Sequence, residues 1–253
     1  MEKIILSGAD NVRDFGGTIN GEGARIRSGL FIRANHLANL SEADVAALES
    51  RGLRRIIDLR TSTECRELPD ADIPGAAHLH IPLVEEQAIG ITHEKGTLPV
   101  EMTAFPDMCE LYVKLVSEPY SLQQLRQVFR TLLSGTQGAT LWHCTEGKDR
   151  CGLVSAFFLL LLDCDEDTVF QDYLETNAAS QKRADAFCAR VLEAGGDRDR
   201  AEKVRKVFLA MPEYLSAALD AVRAQNGSYG AFFENRLGIT AAEREAFKRR
   251  CLV

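Results

Sequence analysis

The chain has 253 residues, 45% hydrophobic and 26% charged, the composition of an ordinary soluble protein with enough chain to bury a core. A formal net charge of -7 argues against a general nucleic-acid binder and against tight adhesion to anionic membranes, while leaving room for a local basic pocket. The N-terminus lacks the apolar run of a signal peptide, and the longest apolar stretch, Leu153 to Leu162, is about half of what crossing a bilayer needs. No stable membrane insertion and a cytoplasmic location are therefore expected. Seven cysteines at irregular spacings imply neither a disulfide framework nor a paired-cysteine metal site. Cys109, Cys164 and Cys188 read as small apolar residues in helix-like surroundings.

In chain order, Gly29 to Arg33 reads as a strand. Ser41 opens a helix through a capping box with Asp44, and Gly52 follows its end. Arg55 to Leu59 is a short buried strand, and His78 to Pro82 is another, stopped by its proline. Residues 84–100 carry little pattern and are expected to be loop. Helices follow over 107–117 and 121–134, then a strand over Ala139 to His143. From Gly152 onward nearly everything reads as helix, with breaks near Gly195-Gly196, Met211-Pro212, Asn226-Gly227 and Gly238. Strands alternating with helices predict an α/β fold, a mainly parallel sheet flanked by helices. The helical C-terminal half is expected to cover that sheet and to be the source of any lid. No linker divides the chain, so 1–253 reads as a single domain.

The chemistry concentrates in His143-Cys144-Thr145-Glu146-Gly147-Lys148-Asp149-Arg150-Cys151-Gly152, between a strand and a strongly apolar helix. Ligands of open α/β sheets bind beyond the carboxyl ends of strands, and this loop occupies such an end. The following helix turns unpaired N–H groups and its positive dipole end toward the loop. A thiolate is stabilised there, the more so beside lysine and arginine. Five residues separate Cys144 from Arg150, enough to curl around a tetrahedral dianion that the guanidinium can grip with two parallel hydrogen bonds. Ionised Cys144 can attack phosphorus and form a phosphocysteine, while the amides of 145–150 and Arg150 stabilise the transferring group. A carboxylic acid must protonate the departing oxygen and later activate water.

This loop resembles that of the cysteine-dependent protein tyrosine phosphatases, and in particular the bacterial tyrosine/lipid phosphatase branch with its His-Cys-x-x-Gly-Lys-Asp-Arg loop. Asn11-Val12-Arg13-Asp14-Phe15-Gly16-Gly17 is similar to a second signature of that branch, and Asp58-Leu59-Arg60 with Glu64 to a third. Tyr173-Leu174 to Asn177, and the stretch from Tyr214-Leu215 to Leu237-Gly238, extend the resemblance over nearly the whole chain. It implies that Asp149 is the general acid, ahead of Asp107 in Phe105-Pro106-Asp107, which also reads as an ordinary helix start. It implies hydrolysis of phosphotyrosine in proteins. Lys148 extends that to dual-specificity or phosphoinositide substrates, or simply raises the local potential. The alternatives are an inositol phosphate or other small-ester phosphatase, and a non-catalytic phosphate-binding module. A rhodanese-type sulfur transferase has no role for the Lys-Asp-Arg run.

One position departs from the pattern. Such phosphatases carry Ser or Thr after the arginine, and this chain has Cys151, a weaker hydrogen-bond donor. Slower breakdown of the phosphoenzyme is expected, or capture of oxidised Cys144 as a disulfide, or no more than a small residue at a helix start. His143 is expected to orient the loop. Asn11, Arg13 and Asp14 are expected to support it, against the plainer reading of a turn closed by Gly16-Gly17. Arg60 either reaches substrate or simply pairs with an Asp or Glu. The charged run 196–200 reads as a turn between helices. Five scattered histidines give no metal-ligand spacing, and Gly147-Lys148 lacks the rest of a nucleotide-binding loop, so no metal or organic cofactor is implied.

Overall fold

The apolar runs of the first half become short strands because each has one side chain in two facing a packed layer. A computed structural model of the protein describes residues 1–86, 106–135 and 137–253. Phe105 and residues 87–100 of the expected loop lie outside them. The strands are β1 (Glu2–Lys3), β2 (Arg13–Asp14), β3 (Phe31–Ala34), β4 (Leu53–Asp58), β5 (Ala77–His80) and β6 (Ala139–His143). They form one sheet in the order β1-β2-β3-β6-β4-β5. β3, β6, β4 and β5 run parallel, and β1 and β2 add an antiparallel edge. β6 is therefore central, with His143 opposite Ala34 on one side and Asp58 on the other.

Alternation within these strands sorts the core into two layers. Ile32, Ile56 and Leu141 pack on one face with Leu48, while Phe31, Ile57 and Trp142 enter the larger cluster on the other. The first face carries α1 (Glu42–Ser50). Its capping box forms as expected from Ser41 and Asp44. The Asp44 carboxylate also accepts from Ser7 N, Ser7 Oγ and Gly8 N, so a short acid does more here than a glutamate would. A second short helix, α2 (Ser62–Glu67), follows β4 and is closed by a Thr61–Glu64 box.

The remaining helices are α3 (Met108–Ser117), α4 (Pro119–Ser134), α5 (Asp149–Leu161), α6 (Glu166–Glu175), α7 (Asn177–Glu193), α8 (Arg198–Phe208), α9 (Pro212–Asn226), α10 (Tyr229–Asn235) and α11 (Ala241–Cys251), and all but α7 and α8 supply residues to the cluster on the second face. α5 is apolar all round and buried from Arg150 to Leu161, as a central helix must be. Phe15, Phe31, Trp142 and Phe158 meet between it and the sheet, with ring centroids 4.7 to 6.3 Å apart. The expected helical cover of the sheet is present. α7 and α8 stand apart from it. Phe187, Cys188, Val191, Val204 and Phe208 form a separate apolar cluster between those two helices. Asn177 ties the two ends of this hairpin together, donating to Ala210 O (2.9 Å) and accepting from Ala210 N (2.7 Å).

Candidate active site

β6 ends at His143 and α5 begins at Asp149, so five residues make the turn. Gly147 permits it. Its φ is +66°, and a Cβ there would sit 2.7 Å from Ala34 O and 2.9 Å from Asn11 Nδ2. Its carbonyl accepts from Asn11 Nδ2 (2.9 Å) and from Arg33 Nη2 (2.5 Å). Arg33 and Arg13 both pair with the buried Asp172 of α6, and Arg13 also donates to Asn11 Oδ1. Asn11 therefore contacts the loop directly, and Arg13 reaches it only through Asn11. The Asp14 carboxylate accepts from Gly16 N (2.7 Å) and Gly29 N (2.6 Å), the bonds of a turn closure.

Cys144 lies at the floor, 2% exposed. Burial pushes its thiol up, while the Arg150 guanidinium and the Cys151 N–H pull it down; burial prevails. Arg150, 5% exposed, makes a two-pronged pair with Glu64 at 2.5 and 2.7 Å. Burial pushes the Glu64 carboxyl up, but Arg150, Thr145 and the Thr61 N–H outweigh it and hold it at about 2. Glu64 also accepts from Thr145 Oγ1, so one carboxylate braces both ends of the loop. Cys151 turns its thiol toward Trp142 O (3.7 Å), and burial pushes it up to about 11. All seven cysteines are free thiols.

Behind the loop, His143 Nε2 is 3.1 Å from Asp70 Oδ2 and its Nδ1 is 3.4 Å from Cys144 O. Arg60 pairs with Asp58 and Asp70, both at 2.7 Å, and is 1% exposed. Asp58, Asp70 and His143 lie close enough to hold a cation, but the Arg60 guanidinium already pairs with both carboxylates.

At the helix end of the loop, Asp149 Oδ1 accepts from Tyr112 Oη (2.7 Å) and is 3.4 Å from Lys148 Nζ. Lys148 itself donates to Val207 O at the end of α8 (2.5 Å) and is buried there. Asp107 caps α3, accepting from Glu110 N (3.0 Å), so the expected helix start is real. Glu146, half-buried, pairs with Arg183 of α7, and burial pushes its carboxyl up. A cleft of about 760 Å³ opens beside it, lined by Asn11, Asn35, His36, Gln181 and Arg183 among others.

Arg33, Asp70, Tyr112 and Asp172 were not singled out by sequence. Arg33 reads only as a strand residue. Asp172 carries a faint signal, an acid on the buried stripe of Val169 and Tyr173.

Chemically, the arrangement can press a tetrahedral anion against a thiol, with a fixed guanidinium and a helix N-terminus to take up its charge. That is the equipment of a phosphate-ester enzyme built on cysteine. Residues 4–253 match the profile described as the tyrosine phosphatase family, and the chain belongs to that family. A protein of Cupriavidus necator that carries a tyrosine-protein phosphatase name is 28% identical over 240 residues, covering 92% of this chain and 83% of its own. The tyrosine-protein phosphatase of Nostoc commune is 34% identical over 146 residues, 56% of this chain and 47% of its own. The triple specificity protein phosphatase PtpB of Mycobacterium tuberculosis is 26% identical over 268 residues, 94% of each chain. Among the described residues no helix is long and apolar enough to cross a membrane.

Proposed function

We propose that the protein, acting as a single domain, hydrolyses phosphate monoesters through a phosphocysteine on Cys144, with phosphotyrosine in proteins as its main substrate. The observation that carries this reading is Arg150, locked by Glu64 on the same loop as a buried cysteine at a helix N-terminus. The Cys144 thiolate attacks phosphorus and the ester P–O bond breaks. Asp149 gives its proton to the leaving oxygen. Asp149 then takes a proton from water, which attacks phosphorus, breaks the P–S bond and returns the thiolate and free phosphate. Amides of 145–150 and the Arg150 guanidinium hold the equatorial oxygens throughout. Asp107 is the weaker candidate for the acid, because its carboxylate is committed to the α3 N-terminus.

The α7–α8 hairpin serves as the lid. Its contacts with Lys148 and Glu146 close the mouth over Cys144. Withdrawing it hydrates the thiol and removes the largest influence that keeps it protonated. A specificity wider than phosphotyrosine is supported by the triple-specificity name of the mycobacterial relative, and phosphoserine/threonine or phosphoinositides are the substrates proposed for it. It requires the same movement, because Lys148 is spent on Val207 O while α8 is seated.

The test is p-nitrophenyl phosphate hydrolysis by wild type and Cys144→Ser, with and without chelator. Release that is indifferent to chelator and abolished by the substitution supports the reading. An inactive wild type between pH 5 and 8 under reducing conditions refutes it in favour of a phosphate-binding module.

A further inference from the structure

Two buried tyrosines remain outside the mechanism. Tyr112 of α3 and Tyr173 of α6 are both fully buried, and their hydroxyl oxygens are 2.7 Å apart. Tyr112 is also 2.7 Å from Asp149 Oδ1. A tyrosine hydroxyl has one proton to give. If Tyr112 gives its proton to Asp149, the contact between the tyrosines must be filled by the proton of Tyr173. Reversing the chain would leave the Tyr173 proton without that acceptor in a buried site, at the cost of an unmade hydrogen bond. The chain therefore runs one way, from Tyr173 to Tyr112 to Asp149 Oδ1. Lys148 approaches the same oxygen at 3.4 Å, and no hydrogen bond from the described residues reaches Oδ2.

We infer that Tyr112, backed by Tyr173, is a positioning residue that fixes which oxygen of Asp149 carries the transferable proton. Oδ1 is held as an acceptor by the Tyr112 hydroxyl and faces the Lys148 ammonium, so the proton resides on Oδ2, and the carboxyl plane is fixed by the rigid ring below it. The inference rests on Asp149 being the general acid. Tyr112 touches no substrate atom and acts only through Asp149. Its anchoring in α3, beyond the sheet, ties the acid to an element that holds neither the nucleophile nor the arginine.

The experiment is kcat/KM for Tyr112→Phe, Tyr173→Phe, Asp149→Asn and the Tyr112→Phe/Asp149→Asn double variant on aryl phosphates of graded leaving-group strength. Asp149→Asn should lose about 100-fold or more on phenyl phosphate and far less on p-nitrophenyl phosphate, whose leaving group needs little protonation. Tyr112→Phe should lose about tenfold on phenyl phosphate, stay within about twofold on p-nitrophenyl phosphate, and add nothing in the double variant. Tyr173→Phe should show the same selectivity more weakly, and it decides the matter should Tyr112→Phe fail to fold. A Tyr112→Phe loss equal on both substrates, or none, while Asp149→Asn remains selective, overturns the positioning role alone. An Asp149→Asn variant indifferent to the leaving group overturns the acid assignment, and this inference with it.

Discussion

Replacing Glu64 with glutamine leaves the size of the side chain unchanged, yet it should be among the most damaging single substitutions in the protein. Each carboxylate oxygen accepts twice. Oε1 takes Arg150 Nη2 and Thr145 Oγ1, and Oε2 takes Arg150 Nη1 and the Thr61 N–H. Whichever oxygen becomes an amide nitrogen will face two donors, and the Arg150 charge is left buried without its partner. The fall of the carboxyl from its ordinary 4.5 to about 2 corresponds to about 3 kcal/mol of stability, at about 1.4 kcal/mol per tenfold. Loss of one member of a buried pair costs about 3–5 kcal/mol by the same physics. Urea unfolding at pH 7 should show that deficit, and kcat/KM should fall at least about tenfold as the guanidinium loses its place. The pH dependence supplies a second check. A depressed carboxyl stabilises fully above its unfolded value and loses that contribution as the pH falls toward its folded one. The gap between wild type and variant should thus hold steady from pH 8 to about 5, then shrink between about 4.5 and 2. A variant within about 1 kcal/mol of wild type, or a gap that does not narrow in acid, would refute the bracing role.

Gly147→Ala combines a left-handed backbone with a Cβ 2.7 Å from the carbonyl of Ala34, so the loop must open. Inorganic phosphate should inhibit this variant at least about tenfold more weakly than wild type, and equal inhibition would contradict the close approach. Cys151→Ser supplies the stronger donor that the loop lacks and should raise kcat about fivefold with kcat/KM unchanged, because only the second step gains. Rapid-mixing kinetics that show an unaltered burst and turnover would remove any role for Cys151 in phosphoenzyme breakdown.

What sequence made legible was local. The α1 start is written in Ser41 and Asp44, three residues apart, and β6 in five residues bounded by glycine and the cysteine loop. The loop itself carries its chemistry in consecutive letters. Strands β1 and β2 escaped because two residues each show no alternation; neighbours make them strands. The break at Thr176 escaped because its backbone stays helical between α6 and α7, with no glycine or proline to mark it. Asp70 sits in an acidic, proline-bounded stretch that looks like any exposed turn. Only the fold brings it to His143 and Arg60. Tyr112 is one apolar residue among several on α3 until α5 presents Asp149 to it.

The α7–α8 hairpin leaves and rejoins the domain at almost one point, where Asn177 clasps Ala210. Its apolar residues are mostly spent on each other, and its hold on the phosphate loop rests on a few polar contacts. A segment joined in this way is close to a detachable part. With the hairpin acting as the proposed lid, exchanging it between family members should change both what reaches the loop and how far Cys144 is hydrated.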